Sequence, residues 1–190
     1  MVILNNLVQM VIILWVLSEV LLTIFVRAQR GVARSQDRVS FIILYGGIFL
    51  GVALAILLKS QKWAAINLNF YLLNAFALAL LLAGIVVRAT AILTLGRFFT
   101  TNLAVQTGQR VVRQGLYRWM RHPSYTGCLI TVTGIGLCFG NWMSLAAAFL
   151  GIFIGYSVRI LIEEAALRAH FGEEFEAHKK RTWAVLPPVW

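Results

Sequence analysis

The stretch SYTGCLITVTGIGLCFGNWMSLAAAFLGIFIGYSV, residues 124–158, carries no charged side chain and is interrupted only near its middle, at Gly140-Asn141. Its 35 residues are too many for one crossing, because a hydrocarbon core of ~30 Å is spanned by about 20 residues rising 1.5 Å each. The Gly-Asn break therefore reads as a tight turn between two antiparallel spans. The first arm is the shorter, about 17 residues if Pro123 sits in the first helical turn, where its missing N–H costs nothing.

Three more apolar runs precede it, at residues 7–26, 40–58 and 68–87. Each has the length of a single crossing. The first is interrupted by Gln9, Ser18, Glu19 and Thr23. With no charged region before it and no A-x-A pattern after it, it is expected to be a mature helix and not a signal peptide. Composition agrees: 60% of the 190 residues are hydrophobic and 13% charged, about half the roughly 25% usual in soluble domains. Mean hydropathy is +0.81. A soluble domain of this size has too little interior to hide so much apolar surface, and a disordered chain or a disulfide-stapled scaffold is excluded with it. The expected fold is an all-α integral membrane protein of about five transmembrane helices. It forms a single membrane domain over 1–190, with three spans in 1–87 and the hairpin and its polar flanks in 88–190.

The formal charge of +10 does not call for nucleic acid. Four arginines (Arg27, Arg30, Arg34 and Arg38) follow the first run, whereas Lys59 and Lys62 alone follow the second. Residues 88–121 hold six arginines, the 139–142 turn none, and the tail from Arg159 onward five basic residues. By the positive-inside bias, the N-terminus lies outside, and segments 88–121 and 159–190 lie in the cytoplasm, most of the arginines facing lipid headgroups. Cys128 and Cys138 stand ten apart on one helix, too distant to pair, and read as small apolar fillers. Gly127, Thr131, Gly134 and Cys138 recur at helical spacing, a stripe that admits a close neighbour; the return arm offers Ala147, Gly151 and Gly155.

The outer turn of the hairpin brings its two polar flanks together, residues 111–125 and 159–175. Arg159 and Glu163, at i and i+4, share a helix face, which suits a plain intrahelical ion pair. With Glu164 beside them they equally suit a site. A carboxylate there orients a cationic or hydroxyl-rich ligand, and the guanidinium offers a planar fork to a substrate carboxylate. Arg121-His122-Pro123 is a helix start, and Tyr117 and Tyr125 are interfacial anchors or ligand contacts. No G-x-G-x-x-G, P-loop or G-x-S-x-G occurs. The three histidines, 122, 170 and 178, lack metal-ligand spacing, so no metal is expected. Glu19, inside the first run, has no evident partner.

Two separated motifs carry a resemblance. One is Gly115-x-Tyr117-x-x-x-Arg121-His122-Pro123-Ser124-Tyr125-x-Gly127. The other is Arg159-x-x-x-Glu163-Glu164-x-x-Leu167-x-x-x-Phe171-Gly172-x-Glu174-Phe175-x-x-His178, with a closing Pro187-Pro188. Across residues 95–190 the chain resembles isoprenylcysteine carboxyl methyltransferases, in particular the small prokaryotic members. The resemblance implies an S-adenosylmethionine-dependent methyltransferase with a cytoplasmic C-terminal catalytic cap, methyl-esterifying a lipophilic, isoprenylcysteine-like carboxylate reached from the bilayer. It implies that Gln109, Val111, Val112, Tyr117, His122, Pro123, Ser124, Tyr125 and Glu163 enclose the cofactor. Arg159 would hold the substrate carboxylate, with Glu163 and Glu164 beside it in the catalytic set. It also implies a C-terminal amphipathic helix, bearing Leu167, Phe171 and Phe175 on one face, that lies on the membrane and closes the pocket. Gln109 stands where the family usually has His, and Phe175 and His178 where it has tyrosines.

The residue inventory suits that chemistry. Methyl transfer from a sulfonium needs positioning and a dry site, and a carboxylate, with an ordinary pKa near ~4, needs no general base. Three other readings share some of the features. A phospholipid amine N-methyltransferase would need a base, for which Glu164 or His122 would serve. A sterol-reductase-like enzyme would take NADPH and need a basic cluster for its 2′-phosphate. A non-enzymatic membrane scaffold would use the polar motifs only as helix caps.

Overall fold

The computed structural model describes residues 2–28, 35–100 and 108–186. Among them run six α-helices: α1 Val2–Ala28, α2 Ser35–Leu58, α3 Phe70–Leu95, α4 Pro123–Leu137, α5 Trp142–Phe171 and α6 Glu173–Lys179. The described residues contain no strand, only two isolated bridges. Local chemistry sets the helix ends. Asn69 caps α3 by accepting from Tyr71 N at 2.9 Å, and Asn141 caps α5 by accepting from Met143 N and Ser144 N at 2.9 and 3.1 Å. Pro123 occupies the first position of α4. Gly172, at φ 52°, ends α5 in a conformation that a side chain would strain.

Among the described residues, four helices are long and apolar enough to cross a bilayer: α1, α2, α3 and α5. This is a multi-pass membrane protein. The fifth, α4, has 15 residues, about 22 Å of rise, and falls short of the hydrocarbon thickness. Its partner α5 has 30, about 45 Å, and overshoots it. The hairpin is thus strongly asymmetric, and the motif at the start of the short arm lies nearer the turn than the end of the long one. The expected C-terminal amphipathic helix takes a different form. Leu167 and Phe171 lie on the uninterrupted α5, and only Phe175 lies on the seven-residue α6.

Glycine seams pair the helices, but not as the sequence suggested. The α4 stripe packs on α3, not on the return arm: a Cβ on Gly127 would stand 2.7 Å from Arg88 N and Gly84 O, and one on Gly134 2.7 Å from Ala77 O. The α5 stripe meets α2 instead: a Cβ on Gly51 would stand 2.8 Å from Ala147 O, and one on Gly155 2.8 Å from Leu44 Cα. Both small-residue stripes admit backbone-to-backbone approach, each with a different neighbour. Gly127→Ala drives a methyl into backbone that cannot yield and is expected to cost about 1–3 kcal/mol. Gly46→Ala, whose Cβ meets nothing within 4 Å, is the neutral comparison. Thermal unfolding in detergent reads the difference.

Arg88 is also placed differently. The sequence count assigned it to a basic loop, but α3 continues through it to Leu95, and it is buried. Arg121 and Arg159, counted with the headgroup-facing arginines, are buried too. At the hairpin turn, Asn141 Nδ2 donates to Gln61 O at 2.8 Å, Ser144 Oγ to Ala55 O at 2.7 Å, and Ile66 N to Gly140 O at 2.9 Å. At the opposite end the tail returns. Arg121 N and His122 N donate to Trp183 O and Ala184 O at 2.8 and 2.9 Å, and Trp183 N donates to Trp119 O at 3.1 Å. Ala184 and Val185 are buried in the main core cluster with Leu44, Ile152 and Ile160.

Candidate active site

A cavity of about 480 Å³ opens where the polar flanks of the hairpin meet α1 and α2. Its volume is in the range of small-molecule and cofactor sites. Gln109, Val111, Val112, Tyr117, His122, Ser124, Tyr125, Arg159 and Glu163 all line it. Pro123 and Glu164 do not. Pro123 is buried at the helix start behind the wall, and Glu164 turns away from the cavity into an ionic cluster.

The polar end is built on α4 and α5. The His122 ring stacks on Tyr125 with centroids 5.4 Å apart, and Tyr125 stacks on Tyr156 at 4.4 Å. Tyr125 OH donates to Glu163 Oε2 at 2.7 Å and accepts from Arg159 Nε at 3.1 Å. The phenol therefore bridges the carboxylate and the guanidinium that the i, i+4 spacing placed on one face. Arg159 also donates through Nη1 to Ser40 Oγ at 3.2 Å, and its guanidinium lies 4.4 Å over the Phe41 ring. Glu163 Oε2 stands 3.7 Å from His122 Nδ1, whereas Glu163 Oε1 has no hydrogen-bond partner among the described residues.

Glu164 holds the frame. Its Oε1 accepts from Arg121 Nε at 2.6 Å and lies 3.4 Å from His122 Nε2, and its Oε2 accepts from Lys179 Nζ at 2.5 Å. Arg121 donates on to the Thr182 carbonyl, so one carboxylate ties α5 to the start of α4, to α6 and to the tail. His178, beside this cluster, has its pKa lowered by burial and by the charges of Arg113 and Arg121, which keeps the ring neutral. Burial and the Glu163 charge raise Tyr117; its phenol stays protonated and donates to Ala91 O at 3.4 Å.

The other end of the cavity is apolar. Trp15, Val16, Val20 and Ile24 of α1 face Phe41, Leu44, Tyr45 and Ile48 of α2 across it, with Ile152 of α5 behind. None of these was singled out in the sequence, where they are ordinary members of hydrophobic runs. Glu19 gains the partner it lacked: both its oxygens accept from Arg88, whose Nη1 also donates to Ser124 Oγ at 2.7 Å and Ser124 O at 3.3 Å. Among the described residues no group of His, Cys, Asp or Glu is arranged to hold a metal ion.

The arrangement joins a hydrogen-bonding end, with an accepting carboxylate and a guanidinium, to an apolar arm between two membrane helices. Among known proteins, a probable protein-S-isoprenylcysteine O-methyltransferase from Oryza sativa subsp. indica is 32% identical over 121 residues, 63% of each chain. The protein-S-isoprenylcysteine O-methyltransferase of Schizosaccharomyces pombe is 32% identical over 126 residues, 65% of this chain and 53% of that one. The chain thus spans less than two thirds of the length of these relatives. The solved structure of a eukaryotic intramembrane Ras methyltransferase superposes with a TM-score of 0.66 at 24% identity, covering 98% of this chain and 67% of that one, which establishes a shared fold. The family model for isoprenylcysteine carboxyl methyltransferases matches residues 75–169, half of the sequence and the part that carries most of α3, all of α4 and nearly all of α5. The chain belongs to the isoprenylcysteine carboxyl methyltransferase family.

Proposed function

We propose that the chain is an S-adenosylmethionine-dependent membrane methyltransferase that esterifies the carboxylate of a lipophilic, isoprenylcysteine-like substrate. The observation that carries this reading is the continuity of the cavity, from Glu163 and Arg159 at the polar end to the α1–α2 arm at the apolar end. A substrate with a carboxylate head and a hydrocarbon tail matches both ends at once, and a tail of that kind reaches the arm from the bilayer. Segments 108–122 and the end of α5 are then on the cytoplasmic side, where the methyl donor is made.

The residues fit that cofactor. Val111 and Val112 line the cavity, and their peptide groups have donors and acceptors to offer. Glu163, about a third exposed through its side chain, offers Oε1 to ribose hydroxyls, and the Tyr117 ring, which lines the cavity, suits a sulfonium. When bound, S-adenosylmethionine supplies a methyl group activated by positive sulfur. The chain's part is to position and to desolvate. Arg159, steadied by Tyr125, Ser40 and Phe41, forks the substrate carboxylate and keeps it ionised and aimed. The apolar lining excludes water. No side chain has to remove a proton, because the nucleophile carries none at neutral pH.

That last point weighs against an amine substrate. Of the two bases it could use, Glu164 is occupied on both oxygens by Arg121 and Lys179, which leaves His122 alone on the cavity wall. Calorimetry on the detergent-purified protein tests the proposal. Wild type is expected to bind S-adenosylmethionine saturably and NADPH not at all. Glu163→Ala and His122→Ala, still helical and monodisperse, are expected to weaken that binding by about tenfold or more. A well-folded wild type that ignores the methyl donor would refute the assignment.

A further inference from the structure

Glu19 and Arg88 are an ion pair at membrane depth that the chemistry above does not use. Their oxygens and nitrogens meet bidentately, Glu19 Oε1 on Arg88 Nε and Oε2 on Nη2, and both side chains line the cavity. An ionisable pair in hydrocarbon is costly to desolvate, and leucines of similar volume would pack there without that cost. Its position suggests what it does. α1 supplies Trp15, Val16, Val20, Thr23 and Ile24 to the cavity wall, yet only 6% of its apolar window is buried, and it packs on the body mainly through α3. Lipid surrounds the rest of it, so packing alone gives α1 little hold, since lipid tails are as apolar as its side chains. Trp15 packs inward against the core cluster, but its Nε1 is buried with no hydrogen-bond partner among the described residues, so it fixes no direction. The bidentate pair does fix one. On its other side, Arg88 is anchored to Ser124 Oγ and Ser124 O, at the start of the helix that carries Tyr125.

We propose that the Glu19–Arg88 pair is a positioning element that holds α1 as the side wall of the apolar arm, registered to the α4 start through Ser124, and so sets affinity for the lipophilic part of the substrate. This rests on the methyltransferase reading for its kinetic arm alone. The pair does not touch the reacting atoms; it acts through the wall. Glu19→Gln removes the charge but keeps the shape, and Arg88 retains its bonds to Ser124. Glu19→Asp keeps the charge on a shorter stem.

Two measurements on the full chain in lipid nanodiscs test it. Spin labels at the lipid-facing positions Leu17 on α1 and Phe49 on α2 are expected to give one narrow distance in the wild-type background, a broadened one with Glu19→Gln, and largely the wild-type one with Glu19→Asp. In parallel, S-adenosylmethionine and an N-acetyl-S-farnesylcysteine substrate are expected to show KM for the farnesylated compound raised about tenfold in Glu19→Gln, with kcat and cofactor affinity within about twofold of wild type. An unchanged distance distribution in folded Glu19→Gln overturns the proposal, and so does a loss confined to kcat. If wild type methylates nothing, the methyltransferase reading fails, and the distances still decide whether the pair holds the wall.

Discussion

Arg159→Lys is expected to lower kcat/KM for an isoprenylcysteine-like carboxylate by about 10²–10³-fold while leaving S-adenosylmethionine binding near the wild-type value. Lysine keeps the charge, so the size of the loss separates geometry from electrostatics. The guanidinium lies over Phe41 and is pinned by Ser40 and by Tyr125 OH, a planar arrangement that an ammonium on a flexible stem cannot reproduce. Methyl-ester formation followed with a labelled methyl donor gives the rate, and calorimetry gives cofactor affinity on the same preparation. Equal losses in both would move Arg159 to the cofactor and leave the substrate carboxylate without its partner.

Glu164→Ala is expected to act on the fold. It strips the acceptor from Arg121 and Lys179 together and leaves a buried guanidinium whose side chain is 5% exposed. Removing one member of a buried ion pair costs about 3–5 kcal/mol, which in a chain of this size corresponds to a fall in Tm of roughly 10 °C. Glu164→Gln keeps an acceptor for Arg121 and is expected to lose clearly less. Thermal unfolding in detergent distinguishes the two. A wild-type Tm combined with lost activity would show that Glu164 meets the reactants after all. The adjacent carboxylates thus differ in surroundings, Glu163 facing the cavity and Glu164 tying together the structure around it.

That division follows from helical geometry, and part of it was legible in advance. Glu163 stands four residues after Arg159 and shares its face, and both line the cavity; Glu164 is rotated by a further ~100° and meets Arg121 and Lys179 instead. The sequence does not say what lies opposite a face, so Glu164 could not be separated from its neighbour. The same limit explains the seams. A run of Gly and Ala announces a close approach, but α3 and α5 both offered small residues to α4, and only three-dimensional packing selects α3. Arg88 was misplaced because an apolar run is read as ending at its first charge. The bidentate partner that makes such a charge tolerable lies 69 residues away, and no local pattern links the two. The motif around Arg121-His122-Pro123 was the most informative part of the chain only together with the second motif from Arg159, since its polar residues singly also suit helix caps and headgroup anchors. The apolar arm was the least, because Trp15, Phe41 and Leu44 differ in no visible way from residues that face lipid.

The pairing of the tail with the start of α4 also bears on the order of assembly. Arg121 N and His122 N find their acceptors on Trp183 and Ala184, and the Arg121 guanidinium finds one on Thr182, 61 residues downstream. While the chain is being synthesised, all the spans leave the ribosome before those acceptors do. Until residues 182–184 follow, the main chain that opens α4 lacks these acceptors, and the cavity wall at His122 is not held in place. Fixing that wall therefore comes after the spans are made, timed by a few residues that follow α6.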